Sequence, residues 1–299
     1  MKSVRAIFIL IGKLLLLFAI MLAMMFVAIL VYVVAAVLSG RDVESVLSFP
    51  RMNLTLAVVQ DAFIVAGVWI MYVAFERKAG WPLGLRQPGA VSRLATGMAC
   101  GAALLSLVVL LIWLLGGLTL RSAPFDAALG WSLLRGALFF AVVAFSEELL
   151  VRGYVQGLTR RSFGAPAAVV VSSLLFAAMH FGNANVFESV WPTVNLVLAG
   201  ILFAVAREAS GGLWLPIGLH WTWNYFQGYV YGFEVSGTGT DALLRVQRTG
   251  GEALTGGAFG AEGSAAATAV LAAGIVAALW ALRRRKRPSS ALTAPDRAP

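Results

Sequence analysis

Of the 299 residues, 60% are apolar and only 12% charged, with 23 Lys and Arg against 14 Asp and Glu. A water-soluble chain of this length needs more polar surface, so a soluble multidomain protein and an intrinsically disordered one are both excluded. The formal charge of +9 would suggest nucleic acid in a soluble protein. Here the basic residues flank apolar runs long enough to span a bilayer, so a lipid bilayer is expected as partner and nucleic acid is not.

Eight apolar segments follow one another, over residues 14–38, 55–75, 95–119, 131–158, 166–182, 193–209, 213–232 and 265–282. Each is near the roughly 20 residues a helix needs to cross the hydrocarbon. Backbone groups in lipid must be satisfied within their own segment, so the pattern predicts an all-α, polytopic transmembrane helix bundle of about eight spans. The first segment follows Lys2 and Arg5 as in a signal peptide. It is too long for one and is read as an uncleaved anchor. Cys100, the single cysteine, falls inside the third segment and is read as a small core residue.

The chain divides into three N-terminal spans (1–130), a four-span core (131–232), a Gly-rich extracytoplasmic loop (233–263) and a last span with a basic anchor (264–287). A Pro/Ser/Ala-rich tail (288–299) is expected to be disordered. Alternate connections differ in basic content. One set holds Lys2, Arg5, Arg77, Lys78, Arg86, Arg93, Arg160, Arg161, Arg207 and the Arg283–Arg287 run; the other holds Arg41, Arg51, Arg121, Arg245 and Arg248. The first set is expected to face the cytoplasm, which puts both termini there and requires an even number of spans. The short loops and Ala/Arg/Gly-rich composition suggest a bacterial inner membrane.

Charges inside spans are costly, and each is a functional candidate by default. Asp61, Arg135, Glu147, Glu148, His180 and His220 stand out, while Lys13 lies near a helix end and can snorkel. In Glu147-Glu148-Leu149-Leu150-Val151-Arg152, Glu148 and Arg152 are four apart and share a helix face, with the acid first, the better order for such a pair. Glu147 points about 100° away. Two adjacent carboxylates in low dielectric do not both ionise cheaply, and Arg152 compensates only Glu148. Glu148 and Arg152 read most simply as a structural salt bridge, whereas Glu147 is left as a candidate general base. Phe176 lies one turn before His180 and walls it or lines a pocket; such a Phe is also ordinary packing. His220 and Asn224 present two hydrogen-bonding groups on one face, as catalytic groups or as interhelical glue. Pro216, four residues before His220, is expected to kink that helix. At 1.5 Å per residue, Glu147 and His180 lie about 20 Å from the cytoplasmic entry, Asn224 about 16 Å and His220 about 10 Å. These depths are compatible with one hydrated site near mid-bilayer.

The three motifs EExxxR (Glu147, Glu148, Arg152), FxxxH (Phe176, His180) and HxxxN (His220, Asn224) occur in order on three apolar helices within 131–232. This resembles the CPBP intramembrane protease family, which includes type II CAAX prenyl endopeptidases and bacterial bacteriocin-processing or Abi proteins. Each motif alone is weak; the ordered set is specific, and every position of it is filled. The resemblance implies an intramembrane endopeptidase in which Glu147 activates a water and His180 orients it or passes a proton. His220 and Asn224 would stabilise the oxyanion, and Glu148, Arg152 and Phe176 would orient the site or bind substrate. The expected partner is a peptide or membrane-protein substrate; prenylated CAAX tails are not expected in a bacterium.

Glu147, His180 and His220 could also supply three ligands to a catalytic zinc. No HExxH helix is present, and the CAAX-processing resemblance favours a metal-free reaction with no cofactor. Two other readings stay open. One is a proton- or ion-coupled transporter using Asp61, the Glu pair and the histidines, although no inverted repeat is apparent. The other is a non-catalytic membrane scaffold of the same fold. Asp61 and Arg135 could pair across helices, but nothing in the sequence requires it.

Overall fold

The structure, a computed structural model, describes residues 2–40 and 54–286. The tail 288–299, Arg287, Arg41 and Arg51 lie outside the described residues. Eight long helices run up and down: α1 (Lys2–Leu38), α2 (Leu54–Met71), α3 (Ala90–Leu114), α4 (Ala127–Glu148), α5 (Gln156–Met179), α6 (Val190–Ser210), α7 (Trp214–Tyr225) and α8 (Ala265–Lys286). Among the described residues six helical stretches are long and apolar enough to cross a membrane by themselves, and one of these, Ala127–Met179, is 53 residues long. It is two antiparallel spans. Glu147 and His180 are 33 positions apart, a separation of about 50 Å along a straight helix, yet their side chains approach to 3.9 Å. The reversal occurs at Gly164, whose φ of 82° breaks the helix, and Pro166 opens the returning segment in its first turn.

The bundle is apolar outside and polar within. Leu22, Phe26, Trp69, Trp131 and Leu138 are each at least 60% exposed, as befits a lipid-facing surface. Glu148, Arg152, Gln156 and Thr159 are fully buried. Helix α1 packs chiefly on α2 and forms the periphery. The closest helix pair is α3 with α7. Gly97 and Gly101, four apart on α3, face Leu215 and Leu219 of α7, and a Cβ at either position would run into backbone carbonyl oxygens. This is the small-residue contact through which membrane helices approach most closely. Cys100 lies on the outer surface of α3 and not in the core; the glycines claim the packed face.

Four further features differ from the sequence reading or add to it. Residues 118 and 119, the end of the third apolar segment, belong instead to a strand, β1 (Leu118–Ser122), because Gly116 turns the chain after Leu115. It pairs antiparallel with β2 (Leu244–Arg248), with Leu120 opposite Val246. The Gly-rich stretch 233–263 is ordered, through β2, a turn of helix (Glu252–Thr255) and two 3-10 turns. Phe233 and Phe259 are buried beneath it. Three π-helical turns also occur, at Tyr72–Glu76, Leu149–Val155 and Phe226–Val230. Finally, Pro216 sits in the first turn of α7 and kinks nothing, since its missing N–H would have had no partner there anyway.

The helix alternation collects Arg5, Arg86, Arg93, Arg160, Arg161, Arg207, Arg283 and Arg284 at one end of the bundle. Arg121, Arg245 and Arg248 fall at the other, on the β1–β2 sheet. Lys13 does not snorkel: it pairs with the buried carboxylate of Glu76, which also accepts from Trp81 Nε1 at 2.9 Å.

Candidate active site

The Glu pair closes α4, and the widened Leu149–Val155 turn follows directly. Such insertions re-aim side chains and often mark functional sites. Glu148 points into protein. Its Oε1 accepts from Arg152 Nη1 at 2.8 Å and from His220 Nδ1 at 3.2 Å. Arg152 also donates from Nη2 to the carbonyl of Gly200 on α6, at 3.1 Å. Its guanidinium lies over the rings of Phe176 (4.4 Å) and Phe203 (5.1 Å). Neither Glu148 nor Arg152 has any exposed surface.

Glu147 points the other way, into a cavity of about 360 Å³ that His180, Asn224 and Asp61 also line, together with residues 235–240 of the loop. Its Oε2 lies 3.9 Å from His180 Nε2, and this oxygen has no hydrogen-bond partner. The gap is too long for a direct hydrogen bond. A bridging water about 2.8 Å from both atoms would span this distance at an angle of about 90°, although Oε2 itself is buried.

His180 is the C-cap of α5 rather than an interior residue. Its Nδ1 lies 2.8 Å from the carbonyl of Phe176, one of the last-turn acceptors a helix end leaves unpaired. A carbonyl only accepts, so Nδ1 carries the hydrogen, and Nε2 is the free face turned toward Glu147. The same logic applies to His220: Nδ1–H donates to Glu148, and Nε2 is the outward nitrogen. Phe176, 3% exposed, forms the partition between the groups. Its ring centroid is 4.6 Å from His180 and 5.8 Å from His220, and Phe203 stacks on His220 at 4.9 Å. Asn224 lines both the main cavity and a small enclosed void of about 30 Å³ that His220 and His180 share. That void has room for a water.

His220 appears shallow from the sequence because α7 begins inside the bundle. Leu213 is fully buried, its N–H bonds the Gly84 carbonyl at 3.0 Å, and Trp214 Nε1 bonds the Leu85 carbonyl at 2.8 Å. Segment 81–89 covers this end, so counting residues from Leu213 underestimates depth. Asp61 accepts from Ser146 Oγ at 2.6 Å and does not pair with Arg135. Arg135 is exposed on α4 and faces a separate cavity beside Asp126, Asp241 and Arg245.

Neither the Asp61–Ser146 bond nor the loop's place as a wall of the cavity is visible in the sequence. The only trace of the first is an acid within an apolar segment and a serine beside the Glu pair, which no spacing rule connects. Among the described residues no three His, Cys, Asp or Glu side chains converge so as to hold a metal ion, and His220 Nδ1 is turned to Glu148. As placed, Glu147, His180 and His220 do not fit a catalytic zinc.

Residues 129–226 match the family described as type II CAAX prenyl endopeptidase Rce1-like. The match covers about a third of the chain and agrees with the resemblance carried by the three motifs; the family it names is one of CAAX-type endopeptidases. The chain is a multi-pass membrane protein. It is also similar to an Escherichia coli protein described as an uncharacterized 24.3 kDa protein, at 28% identity over 169 residues, covering 53% of this chain and 75% of that one. No solved structure matches it.

Proposed function

We propose that the protein is an intramembrane endopeptidase that hydrolyses a peptide bond of a membrane-associated or precursor peptide, using a water activated by Glu147. The observation that carries this reading is the gap between Glu147 Oε2 and His180 Nε2, 3.9 Å wide and opening on a cavity shared with Asn224. Glu147 takes a proton from the water, whose oxygen attacks the scissile carbonyl. The tetrahedral oxyanion is stabilised by Asn224 Nδ2 and by His220. Donation from His220 uses Nε2–H and requires an imidazolium, because Nδ1–H is committed to Glu148; the carboxylate of Glu148 supplies the counter-charge. The C–N bond then breaks as the proton passes, through Glu147 or His180, to the leaving amine. Glu148, Arg152 and Phe176 hold His220 and His180 in place and do not touch substrate. The reaction is proposed to need no metal.

The basic end of the bundle is proposed to face the cytoplasm of a bacterial inner membrane, by the Lys/Arg asymmetry of the connections. Purified protein in nanodiscs is assayed with a quenched peptide library. Glu147→Ala and His180→Ala are each expected to lose at least about 10²-fold in kcat/KM. Chelation is expected to leave activity unchanged. Variants that cleave like the parent overturn the assigned roles, and activity that dies with a chelator and returns with zinc overturns the metal-free reaction.

A further inference from the structure

The proposed reaction leaves one buried acid without a task. Asp61, on α2, lies outside the matched stretch 129–226. It is 5% exposed and lines the same cavity as Glu147 and His180. Its Oδ1 accepts from Ser146, the residue next to Glu147. Among the described residues its Oδ2 has no hydrogen-bond partner, and Asp61 forms no ion pair.

The walls of the cavity carry two carboxylates, Asp61 and Glu147, and neither Lys nor Arg. The other polar groups there are the His180 imidazole, amides and hydroxyls, including Thr240, whose buried Oγ1 is also unpartnered. Arg135 carries no ion pair among the described residues but faces the separate cavity beside Asp126 and Asp241 and does not line this one. Arg152 is sealed against Glu148, and Lys13 is held by Glu76. An ionised carboxylate removed from water without a counter-charge is costly, so buried carboxylates are paired. His180 stands opposite Glu147; among the described residues no hydrogen-bond or ion-pair partner stands opposite Oδ2 of Asp61.

We propose that Asp61 is a specificity subsite that receives a positively charged side chain, Lys or Arg, of the peptide substrate. This rests on the endopeptidase reading above. The bond to Ser146 places Asp61 next to the Glu147 turn. An extended peptide advances about 3.3 Å per residue, so a substrate cation at Asp61 lies within a few residues of the scissile bond.

The test compares quenched peptides that carry Lys or its neutral isostere norleucine at each of three positions on either side of the cleaved bond. At one position the Lys peptide is expected to be cut with at least about tenfold higher kcat/KM. In Asp61→Asn that ratio falls to near one, and in Asp61→Glu it recovers. The same pairs are titrated by fluorescence anisotropy against Glu147→Gln and against the Glu147→Gln, Asp61→Asn double variant, which reads binding without cleavage. Cleavage with no Lys preference overturns the subsite and leaves the endopeptidase standing. A Lys preference in binding that is lost with Asp61, but with no peptide cut, supports the subsite and overturns the endopeptidase. Equal binding of both peptides to all variants overturns the subsite.

Discussion

Glu147 and Glu148 are neighbours in the chain and opposites in environment. Glu148 has no exposed surface and shares one oxygen between Arg152 and His220. Glu147 is 16% exposed, meets His180 only across 3.9 Å, and faces a cavity. A rotation of about 100° between successive helical residues is enough to separate the roles. The sealed carboxylate is held by charge and geometry and supports the rings around it. The open one keeps an oxygen free for a proton. Chemistry requires the second kind of group, and the first kind keeps it in place.

The largest effect is expected on the sealed side. Arg152→Ala leaves Glu148 buried beside His220 alone, and breaking a buried pair in this way costs about 3–5 kcal/mol. Thermal unfolding of the purified protein should show it as a large drop in midpoint. Replacing both partners, as Glu148→Leu with Arg152→Met, should recover part of that loss while activity stays absent. A double variant no more stable than the single one would mean that the pair does more than cancel its own charges. On the open side the pattern reverses. Glu147→Gln is expected to lower kcat/KM by at least about 10²-fold, roughly 3 kcal/mol of barrier, with the unfolding midpoint kept. A midpoint that falls as far as in Arg152→Ala would erase the distinction between the two glutamates.

The same contrast explains what was legible in the sequence. Spans are set by runs of apolar residues, and each of the eight apolar segments overlaps one of the eight helices, although α7 is only 12 residues long. The i, i+4 pairs of the motifs were visible because helical geometry dictates them, and Glu148–Arg152 sits where the spacing puts it. What escaped depends on the third dimension or on a locally broken period. Pro216 signals a kink only in a helix that has already begun, and α7 begins two residues earlier. Cys100 was assigned to the core because its neighbours are apolar, yet in lipid the outer face is apolar too, and Gly97 and Gly101 mark the packed side. The β1–β2 pairing joins residues more than a hundred positions apart, and no local pattern announces it. Asp61 and Ser146 meet across 85 positions for the same reason.

Between the two extremes lies the wall of the open cavity, which depends on the loop 233–263 being tied down. Asn195 on α6 donates to the carbonyls of Glu262 (2.7 Å) and Ser264 (2.8 Å), and its Oδ1 accepts from Thr268 at 2.6 Å. Glu262 in turn holds Ser236, through its N–H at 2.8 Å and its hydroxyl at 3.0 Å. Asn195→Ala removes the anchor and is expected to cost about 1–3 kcal/mol. Hydrogen exchange should localise the loosening to residues 257–264 and 235–240. Protection unchanged there would mean that the buried Phe233 and Phe259, and not the polar ties, fix the loop.

The smallest effect is expected at a third carboxylate, which separates burial from partnership. Glu76 is 2% exposed, almost as sealed as Glu148. Its partners differ. Lys13 is 21% exposed, Arg161 is 44% exposed and 3.6 Å away, and Trp81 Nε1 donates at 2.9 Å. Removing Lys13 leaves the indole N–H and a second cation in place, and solvent at the bundle end screens what was lost. Lys13→Met is therefore expected to cost less than about 1 kcal/mol, several times less than Arg152→Ala. The measurement is the unfolding midpoint of each variant under one set of conditions. A Lys13→Met loss as large as that of Arg152→Ala would show that burial of the acid alone sets the cost. A small loss would show that what matters is how many partners remain, and that Glu148 is fragile because only His220 is left once Arg152 is removed.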